Sequence, residues 1–164
     1  MIRFTTFILS IVISIATLKA EQIKILAIGN SFSEDAIEYY LSGLATAAGD
    51  TIIIGNMYIG GCSLERHYNN FINNSSDYSY RKIVDGEKIT TPDFTLLDAI
   101  IDEEWDYISL QQVSSLSGIY ESYYPYINQL IKIIKGYSTN PHVEVILHAT
   151  WAYEQSSTHE GFAN

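Results

Sequence analysis

The chain of 164 residues has a single cysteine, Cys62, and only three prolines. One thiol cannot form an intrachain disulfide, so stability has to come from packing, and a cysteine-rich zinc site is excluded. Basic residues are scarce too: nine Lys and Arg stand against nineteen Asp and Glu, a formal net charge of −10. So acidic a surface repels phosphate backbones and offers no basic stripe, which argues against nucleic-acid binding and against anionic membranes. The charge serves solubility without implying a substrate. Internal repeats, low-complexity tracts and interdomain linkers are also lacking.

The amino terminus is the first positive feature. Met1-Ile2-Arg3 is followed by "FTTFILSIVISIATL" and then by Lys19-Ala20 before Glu21. A basic start, an apolar run and a small residue at a cut site form a secretory signal peptide over residues 1–20. The run is shorter than the roughly 20 apolar residues that span a bilayer, so a stable membrane anchor is not expected. No cysteine follows it to carry a lipid. The expected localisation is therefore secreted or periplasmic. Cleavage would remove Arg3 and Lys19 and take the charge from −10 to −12. Residues 21–164 are long enough for one domain with a core.

Within that domain the pattern alternates strands and helices. "IKILAIG" (23–29) and "TIIIGNMYI" (51–59) are nearly continuous apolar runs, as expected of strands buried on both faces. Residues 106–112 and 143–150 read as two more strands. Helices are expected over 34–49, with Ile37, Tyr40, Leu41, Leu44 and Ala48 inward and Gly49 as the C-terminal stop, and over 64–72, 94–105 and 124–137. Asp85-Gly86 within 80–90 signals a hairpin. The fold class is α/β: a three-layer, flavodoxin-like parallel sheet with helices on both faces. In such sheets ligands sit at the carboxyl ends of the strands.

Those ends carry Gly29-Asn30-Ser31, Gly60-Gly61-Cys62, Gln111-Gln112 and His148 to Trp151. A serine at a strand-to-helix turn lies near N–H groups that favour negative charge, and a glycine turn or a side-chain amide can donate to an oxyanion. Plainer roles compete at each position. Ser31-Phe32-Ser33-Glu34 also fits a capping box. Gly60-Gly61 fits a tight turn, Cys62 a small buried residue, His67 a packing residue and His148 a core histidine. Thirteen tyrosines fit carbohydrate-facing surfaces and amphipathic packing equally.

"GNSFS", "GGCSLERH", "LQQ" and "TWAYEQ", in that order, resemble the blocks of an exported bacterial branch of the SGNH (GDSL-type) hydrolases, over essentially all of 21–164. Asn30 stands where the usual residue is Asp, and the Asn of the third block is replaced by glutamine. The resemblance implies Ser31 as nucleophile, with Gly61 and Gln112 as oxyanion donors and Gln111 as the alternative in a shifted block. His67, Trp151 and Tyr153 would line the substrate site, helped by the tyrosines at 120–126. The implied substrate is a small-molecule or carbohydrate ester, with no cofactor and no metal. The family's late Asp-x-x-His block is not found, and the fold is expected to be incomplete at the C-terminus, leaving the last strand as an open edge with apolar surface uncovered. His159 is then the local candidate for the base, without which a serine is a poor nucleophile. Three readings follow: an ester hydrolase of the carbohydrate O-acyl esterase kind; a non-catalytic carbohydrate-binding protein; and a flavodoxin-like nucleotide binder, disfavoured because no G-x-G-x-x-G follows the first strand.

Overall fold

The computed structural model describes residues 22–151 and 153–158. The expected signal segment, residues 1–20, and His159 lie outside the described residues. Six strands form one sheet: β1 (Gln22–Gly29), β2 (Thr51–Tyr58), β3 (Tyr78–Val84), β4 (Glu87–Phe94), β5 (Tyr107–Leu110) and β6 (Glu144–Leu147). Their spatial order is β4-β3-β2-β1-β5-β6. β2, β1, β5 and β6 are parallel, whereas β3 and β4 are antiparallel additions. The sheet is therefore mostly parallel. The hairpin that makes the exception is longer than residues 80–90. Its turn, Asp85-Gly86, has positive φ at both positions (52° and 80°), the conformation that matches the twist of adjoining strands.

The helices form two layers. One face is covered by α1, which runs over 31–48, and by its contacts Ile37, Leu41 and Ala45 with Ala27, Ile52, Ile54 and Ile83. The other face carries α2 (Leu64–Ile72), α3 (Leu96–Asp102) and α4 (Tyr126–Tyr137). There Leu64, Leu96, Ile100, Leu130 and Ile134 pack on Leu26, Ile28, Met57, Ile108 and Leu110 around Trp105.

α1 departs from the expected inward face. Glu34–Leu41 is π-helical, with α-helical Ser31–Ser33 before it and Ser42–Ala48 after it. The i→i+5 bonding of a π segment changes the angular step between side chains. Ile37 and Glu38 are buried, while Tyr40 and Leu44 are exposed. Glu38 is accommodated by a polar seam under the helix. Asn56, fully buried in the middle of β2, donates to the Glu38 carboxylate at 2.6 Å, and its Oδ1 lies 3.1 Å from Ser33 Oγ. Arg81 and Lys88 pair with the same carboxylate, Arg81 also with Glu34. A buried charge needs such partners. α1 ends where Gly49 adopts φ 87°, its N–H meeting the Ala45 and Thr46 carbonyls.

The registers Gly29↔Tyr58, Ile28↔Leu110 and Leu110↔Leu147 align the carboxyl ends of the four parallel strands. β1 and β5 are neighbours from which the chain winds in opposite directions, to β2 and to β6. The switch point, where ligands bind in open α/β sheets, therefore lies outside the ends of β1 and β5.

Candidate functional site

The turn after β1 is built by Asn30, not by Ser31. Asn30 is the N-cap of α1: its Oδ1 accepts from Phe32 N–H at 3.2 Å. Its Nδ2 donates to the carbonyls of Cys62 (3.2 Å) and Gln112 (3.4 Å), tying together the turns after β1, β2 and β5. Ser33 Oγ donates to the Asn30 carbonyl at 2.6 Å. A Cβ on Gly29 would lie 2.9 Å from that hydroxyl, so the turn requires glycine there. The capping reading of Ser31 is thus replaced: Asn30 holds the cap, and Ser31 is exposed with no hydrogen-bond partner for its hydroxyl among the described residues.

On the β2 side, Gly61 is exposed in the left-handed region (φ 63°), and neither its N–H nor that of Ser31 is engaged by a described backbone carbonyl. Cys62 is fully buried, and burial pushes its thiol up to about 12, which leaves it protonated and inert. His67 does not line a cleft. It is fully buried, stacked on Tyr78 with ring centroids 5.7 Å apart, its Nδ1 3.0 Å from the Tyr78 hydroxyl. Desolvation lowers its pKa to about 3, only partly opposed by the Gly29 carbonyl, so the ring is neutral. His67 packs beneath the serine turn with no surface exposed.

Gln111 and Gln112 are successive residues leaving β5, and their side chains go to opposite sides of the sheet. Gln112 is the better connected. Its Oε1 accepts from Leu64 N–H (3.1 Å) and Val113 N–H (2.9 Å), and its Nε2 donates to the Ser122 carbonyl and hydroxyl. The carboxamide pins the start of α2 to the loop over 113–122, which leaves it no donor for an oxyanion in this arrangement. Gln111 lies on the α1 side against Gly29 and is buried, with neither Oε1 nor Nε2 paired.

The wall of the site is aromatic. Trp151, largely exposed, packs on Phe32 with centroids 5.4 Å apart, next in sequence to Ser31. Tyr153 donates from its hydroxyl to Ser114 Oγ at 2.8 Å, and Thr150 to Ser117 Oγ at 2.9 Å. These bonds seat the segment after β6 on the turn over 114–117. Tyr120 and Tyr124 pack at a tilt of 51° nearby, centroids 5.1 Å apart. His148 is not a satisfied core histidine: it is half-buried at the end of β6, with Nδ1 unpaired and its pKa lowered by desolvation. Among the described residues no three His, Cys, Asp or Glu side chains are grouped to hold a metal, and no helix is long and apolar enough to cross a membrane.

Sequence reading missed Asn30 as the keystone of the edge. The signal was present in its position: a residue between a buried strand and a helix that must both donate and accept is better served by Asn than by Asp.

The sequence profile of the family described as Domain of unknown function (DUF4886) matches residues 24–164. The fold is similar to the crystal structure of a DUF4886 family protein from Bacteroides uniformis ATCC 8492, with a TM-score of 0.81 and 52% sequence identity. That similarity covers 87% of this chain and 55% of the other, so the chain spans little more than half of its relative's length. No curated protein matches the chain.

Proposed function

The chain belongs to the DUF4886 family, and on that premise we propose that it is an exported serine ester hydrolase of the SGNH type, acting on acylated carbohydrate. The observation that carries this reading is the Ser31 hydroxyl, exposed and without a partner among the described residues at the strand-to-helix turn beside the switch point, because Asn30 has taken over the cap. In the proposed reaction Ser31 Oγ attacks the ester carbonyl and gives its proton to a base. The backbone N–H groups of Ser31 and Gly61 receive the oxyanion, the alcohol departs, and water releases the acyl group from the serine. Trp151 and Phe32 offer a ring surface beside the nucleophile for the face of a sugar. The base is assigned to none of the described residues, and His159 remains its candidate. Export rests on the signal-like residues 1–20.

A non-catalytic carbohydrate-binding role is the second reading. It is favoured by the committed carboxamide of Gln112 and by the lack of a described histidine or carboxylate bonded to Ser31. Fluorophosphonate labelling and p-nitrophenyl acetate hydrolysis separate the two. The hydrolase reading expects labelling that is lost in Ser31→Ala, and activity lost in His159→Ala if that residue is the base. An unlabelled chain that still binds acetylated oligosaccharide establishes the second reading instead.

A further inference from the structure

The carbonyls of Gly29 and Asn30 lead into Ser31, and a side chain meets each of them from a different face of the sheet. Ser33, on the α1 side, donates to the Asn30 carbonyl at 2.6 Å. His67, from α2 on the opposite face, stands against the Gly29 carbonyl. Its imidazole is fully buried, so each ring nitrogen needs a partner. The Tyr78 hydroxyl, at 3.0 Å, and the Cys62 sulfur, at 3.6 Å, both converge on Nδ1. Burial pushes the phenol and the thiol up alike and keeps both protonated, so each can bring a hydrogen to that nitrogen. A neutral imidazole that accepts at Nδ1 carries its proton on Nε2. Nε2 is buried without another partner among the described residues, and the acceptor that faces the ring is the Gly29 carbonyl, short of ideal hydrogen-bond geometry. The other tautomer would turn a lone pair toward that carbonyl and take the acceptor away from the Tyr78 proton.

We propose that His67 is a positioning residue for Ser31: its Nε2–H, oriented by Tyr78 at Nδ1, holds the Gly29 carbonyl and so sets the peptide units that aim the Ser31 hydroxyl and N–H. The turn is gripped from below by His67 and from above by Ser33, with Asn30 Nδ2 tying it sideways to the turns after β2 and β5. Rotation of either preceding peptide unit would tilt the Ser31 N–H away from the position it shares with the Gly61 N–H, and an oxyanion is stabilised only by donors already aimed at it. His67 has no exposed surface, so it acts through the turn alone. The catalytic part of the proposal rests on Ser31 as the nucleophile; the tautomer and the anchoring of the turn do not.

Nitrogen NMR of the full chain, with the histidines labelled, tests the tautomer directly. His67 should carry its proton on Nε2 and none on Nδ1; an Nδ1–H ring overturns the proposal. His67→Gln and His67→Asn test the anchor, because glutamine can place an amide N–H where Nε2 stands and asparagine reaches only the place of Nδ1. The backbone amide resonances of Asn30 and Ser31 should stay near their wild-type positions in His67→Gln and shift in His67→Asn. Fluorophosphonate labelling of Ser31, corrected for the folded fraction, should fall about tenfold or more in His67→Asn, with glutamine rescuing most of the rate. Equal loss in both variants, or none in either, marks a purely structural residue and overturns the positioning role. If His67→Asn does not fold, Tyr78→Phe takes its place: it should release the Nδ1–H tautomer and slow labelling, and no change in either overturns the proposal. A wild-type chain that resists labelling removes the nucleophile alone, and the tautomer and the amide shifts still decide whether His67 anchors the turn.

Discussion

Asn30 and Cys62 are joined across the carboxyl edge of the sheet by a side-chain bond of 3.2 Å from Nδ2 to a backbone carbonyl, and the same nitrogen reaches the Gln112 carbonyl. Two carbonyl oxygens facing one buried side chain demand a donor. Asn30→Asp replaces that donor with a carboxylate and is expected to destabilise the fold by about 3 kcal/mol at pH 7. The introduced carboxyl would have a raised pKa, so protonation restores part of the loss as pH falls toward 5. Urea unfolding of both forms at the two pH values checks the size and the sign.

Gln112 gives a second test, because its carboxamide makes bonds to α2 and to the loop over 113–122 at once. Gln112→Leu leaves the Leu64 N–H and the Ser122 carbonyl without their partners and should lower stability by about 2–3 kcal/mol. Thermal melts report that loss whether or not a substrate is known. A variant that kept its melting temperature while losing ester hydrolysis would instead assign the amide to the reaction.

A pH dependence follows from His67. Its pKa is about 3 in the fold and near 6.5 when exposed, so the unfolded chain binds the extra proton between those values. Stability is full above about pH 6.5 and falls as pH drops through that window, at a slope approaching about 1.4 kcal/mol per pH unit. His148, also lowered, adds in the same direction. Glu103, whose carboxyl is held down by Lys82 and Lys24 against its own desolvation, stabilises the fold throughout that range and loses its contribution only below about pH 4.5. Denaturant titrations between pH 7 and 5 isolate the histidines, and His67→Gln should flatten the slope there.

Packing at the sheet centre can be tested at Gly55. A Cβ there would stand 2.9 Å from both Leu26 Cδ1 and the Trp105 ring. Gly55→Ala is expected to destabilise by about 1–3 kcal/mol through overpacking, read as a lowered urea midpoint with an unchanged slope.

Much of the frame was legible in residue order. The apolar runs at 23–29 and 51–59 became β1 and β2, Asp85-Gly86 became the hairpin turn, and Gly49 ended α1. The inward face of α1 was not legible, because a helical-period reading of Tyr40 and Leu44 assumes a constant angular step that the π segment breaks. Nor could periodicity reveal the antiparallel pairing of β3, a property of partners distant in sequence. At the candidate site, the places of Ser31 and Gly61 at the ends of β1 and β2 were legible in the order of the residues. The burial of His67 and the engagement of Gln112 were hidden, since a polar side chain in a short helix or loop shows its partners only after the chain has folded.

The buried Asn56 has a consequence for specificity rather than strength. β2 is apolar along nearly its whole length, so hydrophobicity alone would let it slide along β1 with little penalty. A shift by one residue, however, would turn Asn56 away from Glu38 and Ser33 and into the layer that holds Met57 and Trp105, where it would find no partner, while the Glu38 carboxylate lost one of its three donors. One amide on the wrong face penalises every such one-residue slip, so Asn56 acts as a key that fixes which face of β2 meets α1.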